Sequence, residues 1–371
     1  MCYLIYYGKK MNYPELFTPN AHSDYLIRWI EIVPERTVAI HEVLEKNYLL
    51  GKIIKVEQVG AMEVRSNNFR ITFETKHGIL RIILRKNIQW ATLSELETVN
   101  NFLKAVRNFG VPTPEIITAK DGGEIVESSG SFWQVFAYIP GNYYQGKEDE
   151  LSAVASAVGI LHKALAAIPE DARLKSSSWK LPTEADFKLI FEAAKNDASE
   201  LGAMIRDNEQ IIRDAIDNLL VHKSAIGKSL TQMIHADLHP HNFLFNQDRL
   251  TAILDFGDVR LGFRAADAAS ACHRLVRQYV VCSGKSWNKV LEKGLRTFIS
   301  NYQTVFPLPA KELALFSEFM ALALLRKIKG NLFKYFQKKP DWSYDVAHKE
   351  FIKQMNLFAE VETMKEILQK L

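Results

Sequence analysis

A chain of 371 residues, 47% hydrophobic and 24% charged, is long enough for two or three lobes with a sizeable core and has nothing of a disordered segment's composition. Its 47 basic against 43 acidic residues leave a net charge of +4, too small an excess to argue for nucleic acid, and no Arg/Lys stripe with interleaved aromatics is present. Three cysteines, Cys2, Cys272 and Cys282, are odd in number and form no C-x-x-C pair, which points away from a disulfide framework or a cysteine zinc site and fits a reducing cytoplasm.

The opening MCYLIYYGKK carries its lysines after a short apolar patch, the reverse of a signal peptide, and Met11 is a second candidate start. The apolar run Phe319 to Leu325 is too short to span a bilayer, so no membrane contact is expected. Between residues 21 and 50, Leu26, Ile27, Ile30, Val38, Ile40, Val43 and Leu44 keep mixed helical spacing, broken at Pro34 and ended by Gly51. They predict two short helices in an N-terminal cap, residues 1–51.

From Lys52 the period changes to that of strands. Ile53 to Val59 is followed by Phe69, Ile71 and Phe73 alternating with polar residues, a turn at His77-Gly78, and Ile79 to Arg85. Ser94 with Glu97 reads as a capping box opening a helix to about Phe109, before Gly110 and Pro112. Glu124 to Glu127 and Phe132 to Ile139 complete an antiparallel five-stranded sheet with one helix, residues 52–139. Beyond Gly141 the pattern is mainly helical to residue 371: Leu151, Val154, Ala155, Val158, Leu161 and Leu165 share one face, His162 reads as a packing histidine, and residues 184–225 predict two helices. The expected fold class is α+β.

The stretch with chemistry is HADLHPHNFLF, residues 235–245, followed by ILDFGD, residues 253–258. Asp237 and Asn242 stand in a loop before one apolar run and Asp255 ends the next, so a short hairpin carries two carboxylates and a carboxamide at its lip. That set is what phosphoryl transfer needs: an acid to orient an attacking hydroxyl and two oxygen ligands for magnesium on a nucleotide. A rival reading takes His235, Asp237, His239 and His241 as ligands of a hydrolytic metal, but leaves Asn242 and Asp255 without a role. Gly227-Lys228-Ser229 and Gly284-Lys285-Ser286 mimic the end of a P-loop without the earlier glycine it requires.

The spacing H-x-D-x-x-x-x-N followed by D-F-G resembles the kinase catalytic and metal loops, and H-x-D-L-H-P-x-N resembles the aminoglycoside phosphotransferase and choline kinase superfamily. Three strands, a helix and two strands is also the order of a kinase nucleotide lobe. Phe132 to Gly141, V-G-I-L-H at 158–162, Tyr302-Gln303 and P-L-P-A-K-E-L at 307–313 are similar to the homoserine kinase branch.

The resemblance implies a bilobal protein-kinase-like fold using ATP and Mg²⁺. Asp237 would be catalytic, with His239 near the γ-phosphate or the acceptor, and Asn242 and Asp255 would hold the metal. Arg85 would contact phosphate with Glu95 as its helix partner, and Ser66 and Asn67 would cradle phosphate in a turn that lacks G-x-G-x-x-G. The edge-strand backbone of Phe136, Ala137 and Tyr138 would pair with adenine, and His235 and Asp267 would brace the catalytic loop. The implied acceptor is a small amino alcohol or hydroxy amino acid such as homoserine, with Asp258 and Asp267 available to an amine and Arg260 or Arg264 to a carboxylate. An aminoglycoside or sugar kinase and a nucleotide-binding pseudokinase are the alternatives within the resemblance.

Overall fold

The alternation that begins at Lys52 becomes an antiparallel ladder in which Lys52–Gly60, Asn67–Thr75, Gly78–Lys86 and Ser131–Ala137 pair in turn. The computed structural model describes residues 5–6, 9–10, 28–32, 37–60, 67–87, 92–168, 181–283, 287–338 and 342–371. One face of the ladder, including Val56, Ile71, Phe73, Ile82, Leu84 and Val135, is buried against Ile40, Val43 and Leu44 of helix Val38–Asn47.

The sheet has seven strands rather than five, because Arg28–Glu31 pairs with Lys52–Gly60 and Ile116–Ile117 pairs with Ser131–Ala137. Arg28–Glu31, within the stretch expected to hold the first cap helix, is a strand, residues 21–27 of that stretch lie outside the described residues, and the second cap helix forms as Val38–Asn47. Both added strands are too short to display a period of two; the free edges beside them select their conformation.

Helix Leu93–Asn108 is capped two residues earlier than Ser94 and Glu97 predict: Glu95 N donates to Thr92 Oγ1 at 3.2 Å and Thr92 N donates to Glu95 Oε2 at 3.0 Å. Its Phe102, Leu103 and Val106 pack into the core of the helical lobe. Its polar side is tied to the sheet by buried amides, with Asn87 Nδ2 donating to Gln134 Oε1 at 2.8 Å and Gln134 Nε2 to Asn100 Oδ1 at 2.7 Å. The helix therefore belongs to both lobes.

In the helical lobe, Glu148–Ala166 packs on Trp287–Val305, and Arg264–Ser283 on Phe316–Phe336, which in turn packs on Tyr344–Leu368. Residues 184–225 form more helices than the two expected, namely Glu184–Lys195, Glu200–Asp207 and Glu209–Val221 with a final turn Lys223–Ile226, because Ser199 caps one helix start and Asn208 breaks the next. Gly227-Lys228-Ser229 follows that turn, whereas residues 284–286 lie outside the described residues. Among the described residues no helix is long and apolar enough to cross a membrane.

Candidate active site

Two small ladders bring the chemistry together. Thr231–Ile234 pairs with Arg260–Phe263 so that Ile234 faces Arg260, and Phe243–Asn246 pairs with Arg249–Ile253 so that Phe243 faces Ile253. These registers put the loop after Ile234 and the loop after Ile253 at the same mouth. Leu254 N donates to Asn242 O at 2.8 Å, and His235 Nε2 donates to Leu254 O at 3.0 Å, so the loops are also bonded to each other.

Ala236 and Asp255 have φ of 67° and 61°, left-handed values that cost a residue with a Cβ about 1–2 kcal/mol. Asp267, at the start of its helix and 2% exposed, accepts the amides of His235 and Ala236 at 3.0 Å each and so holds the first of these turns. It also accepts from His162 Nε2 at 3.1 Å, while the Tyr302 hydroxyl donates to His162 Nδ1 at 2.8 Å. Burial raises the Asp267 pKa, but the hydrogen bonds from His162 and the Ala236 amide outweigh it and hold the carboxyl below its ordinary value. His162 thus packs as expected and links this acid to Tyr302.

The Asp237 carboxylate lies between an imidazole and an ammonium group. Its Oδ2 is 3.4 Å from His239 Nε2 and its Oδ1 is 3.4 Å from Lys327 Nζ. Burial pulls the Asp237 pKa up, but His239, Lys327 and Arg274 together hold it far below the usual carboxylate range. His239 and Lys327 are both pushed down by burial against the opposing pull of Asp237. Lys327 was missed by sequence reasoning: it follows an apolar helical run and there looks like an ordinary flanking charge.

Arg85 reaches the mouth from the sheet, with Nη1 3.5 Å from Asp255 Oδ1, Nε donating to Asn68 Oδ1 at 3.1 Å, and the guanidinium 5.5 Å from the Phe136 ring. Its expected pair with Glu95 does not form; Glu95 Oε2 instead accepts from the Thr92 amide and hydroxyl. Ser66 lies outside the described residues, and Asn67 begins strand Asn67–Thr75. The hinge strand is not an edge: Phe136 pairs with both Ile83 and Ile116, and Ala137 N donates to Glu115 O at 2.8 Å. Backbone beyond the strand begins at Tyr138, and Phe136 instead offers its ring to Arg85.

Asn242 and Asp255 fit a hard divalent cation. Asn242 Nδ2 donates to Asp237 O at 2.7 Å, which leaves its Oδ1 to act as a ligand, and the Asp255 side chain is 48% exposed at the facing loop. The rival metal cluster does not assemble. Among the described residues no three His, Cys, Asp or Glu are placed to hold a metal, and His235 Nε2 is committed to Leu254. Arg264, offered above as a carboxylate partner, instead donates to Pro307 O at 2.9 Å and lies over Phe306, and Asp267 is too occupied to meet an amine.

Similarity to known proteins agrees with this geometry. The chain is 23% identical over 295 residues to a homoserine kinase of Zymomonas mobilis subsp. mobilis, covering 78% of this chain and 84% of that one. A homoserine kinase of Allorhizobium ampelinum is 24% identical over 338 residues, covering 88% and 97%. Among solved structures, a spectinomycin phosphotransferase in complex with ADP and spectinomycin superimposes with a TM-score of 0.68 at 12% identity, covering 91% of this chain and 99% of that one. A microcompartment-associated aminopropanol kinase gives 0.60 at 17% identity, covering 88% and 95%. The sequence model of the phosphotransferase enzyme family matches residues 61–294, more than half of the chain, and the protein belongs to that family.

Proposed function

We propose that this protein transfers the γ-phosphoryl group of ATP to a hydroxyl of a small metabolite, an amino alcohol or a hydroxy amino acid of the homoserine type. The observation that carries the reading is the single mouth formed by Asp237, Asn242 and Asp255 with Arg85 facing it from the sheet. Family membership and the homoserine kinases among its relatives support the same class.

The acceptor hydroxyl hydrogen-bonds to the Asp237 carboxylate, which orients its oxygen toward the γ-phosphorus. As that oxygen forms its bond to phosphorus, the bond to the bridging oxygen of ADP breaks, ADP leaves with the electron pair, and the hydroxyl proton passes to Asp237. A carboxylate held well below its ordinary pKa is a weak base, suited to orienting the hydroxyl first and taking its proton late. Arg85 meets the phosphates, and Asn242 and Asp255 supply the oxygen ligands of magnesium, which when bound neutralises phosphate charge. Asp267 keeps the backbone at Ala236 in the turn that presents Asp237.

The test is ATP consumption over a panel of homoserine, choline, ethanolamine, methylthioribose, simple sugars and an aminoglycoside, with the phosphorylated product identified. A clear preference for a sugar or aminoglycoside would replace the acceptor class, and no phosphoryl transfer to any alcohol would remove the kinase reading.

A further inference from the structure

Lys327 lies on a helix of the C-terminal half, yet its ammonium is 3.4 Å from the carboxylate that would orient the acceptor. The charged groups acting most strongly on Asp237 are His239, Lys327 and Arg274, and those acting most strongly on Lys327 are Asp237, Arg274 and Lys353. Apart from Asp237 itself, every member of this set is a cation or a histidine. On the adjoining position Arg326 stands near Arg260, whose Nε is buried without a hydrogen-bond partner among the described residues.

Lys327, Arg274 and Lys353 come from different elements than the groups assigned to the nucleotide. Arg85 comes from the sheet, and Asn242 and Asp255 come from the ends of the hairpin. Lys327, Arg274 and Lys353 come from the packed helices Phe316–Phe336, Arg264–Ser283 and Tyr344–Leu368. Lys327 and Arg274 act on Asp237 from the helical lobe, whereas Lys353 acts on Lys327 and is itself 3.4 Å from Glu350 Oε1. An ammonium group brought to this wall would meet like charge, whereas a carboxylate would draw Lys327 away from Asp237 and leave that acid to the hydroxyl.

We infer that the wall formed by Lys327, with Arg274 adding positive charge at Asp237, is the acceptor-specificity site, and that it takes the carboxylate of a short hydroxy acid or hydroxy amino acid. The inference rests on Asp237 being the residue that orients the acceptor hydroxyl. The acceptor is short because Lys327 touches Asp237: a carboxylate on one and a hydroxyl on the other are only a few bonds apart. Amino alcohols without a carboxylate are then poor acceptors.

The experiment pairs binding with turnover. Calorimetry measures butyrate, γ-hydroxybutyrate, homoserine, aminopropanol and ethanolamine against the full chain with ADP and magnesium, for the wild type, Lys327→Met and Lys327→Arg. The expected result is that the carboxylates bind and lose about tenfold or more in affinity in Lys327→Met, as for a lost charge-assisted hydrogen bond. Acceptor KM rises by a similar factor with the KM for ATP little changed, and Lys327→Arg recovers most of the loss. A preference for aminopropanol or ethanolamine over every carboxylate would overturn the inference. So would a Lys327→Met variant whose KM rises for ATP alone, which makes the lysine a phosphate contact, or whose kcat falls with carboxylate affinity intact, which makes it a positioning residue for Asp237. Butyrate has no hydroxyl, so its binding tests the wall independently of turnover. Alcohol phosphorylation without carboxylate binding removes this inference and keeps the kinase reading, whereas carboxylate binding without any phosphorylation removes the kinase reading and with it the acceptor role of Lys327.

Discussion

Arg85 Nη1 and Asp255 Oδ1 stand 3.5 Å apart although the two residues are 170 positions apart in the chain. One belongs to the sheet and the other to the loop that follows the catalytic hairpin, so the contact joins the two lobes at the place where nucleotide phosphates and metal would meet. If Arg85 is the phosphate cation, Arg85→Ala weakens ATP binding by about 1.5–3 kcal/mol, the range for a hydrogen bond to a charged group. Arg81→Ala serves as the control because Arg81 is exposed on the same strand. Equal affinity of Arg85→Ala and wild type in a nucleotide titration would move the role to another cation, with Lys86, now over the Trp133 ring at 5.3 Å, the next to test.

The metal and catalytic roles separate by substitution. Asp255→Ala is expected to lose magnesium-dependent ATP affinity together with turnover, whereas Asp237→Asn keeps the affinity and loses turnover by at least about a hundredfold. Fluorescent nucleotide binding with and without magnesium, run beside initial rates, checks both. Activity indifferent to Asp255 would contradict the assignment.

Asp267 is a buried acid with three bonded donors, the His235 and Ala236 amides and His162. Truncation in Asp267→Ala leaves these donors unsatisfied and is expected to destabilise the fold by about 3–5 kcal/mol. Tyr302→Phe removes only the donor to His162 Nδ1 and should cost about 1 kcal/mol. Urea unfolding measures the pair; comparable losses in the two variants would mean that Asp267 does not brace the loop.

Acid should weaken the junction between helices Arg264–Ser283 and Tyr344–Leu368. There Glu360 accepts from Arg277 Nε at 2.8 Å and His273 Nε2 at 3.1 Å. Burial raises the Glu360 pKa, but Arg277 and His273 outweigh it and lower it below 4.5; burial also lowers His273 below 6.5, against the pull of Glu360. Both folded-state values lie below the unfolded ones, so as pH falls the unfolded chain takes up these protons first and stability drops. The loss begins as pH passes below 6.5 through His273 and continues below 4.5 through Glu360. A Tm series from neutral to acid pH should fall in wild type, and Glu360→Gln, less stable at neutral pH, should fall less steeply in the carboxylate range. Parallel curves for the two proteins would remove this cluster as the cause.

The chain by itself determined the strands from Ile53 to Arg85, because period-two alternation survives at Phe69, Ile71 and Phe73 and short apolar runs bounded by turn residues flank it on both sides. It determined the two loops as well: Asp237, Asn242 and Asp255 sit next to the hairpin strands that carry them, so local spacing was enough. Tertiary structure decided whatever depends on a partner distant in sequence. Glu95 read as the mate of Arg85, but the Thr92 amide and hydroxyl are nearer and claim it. Phe132 to Ile139 read as an edge until Ile116–Ile117 covered it, since a two-residue strand has no period to reveal it. Lys327 carries no motif, and only the packing of its helix against Arg264–Ser283 brings its charge to Asp237 across 90 residues of chain.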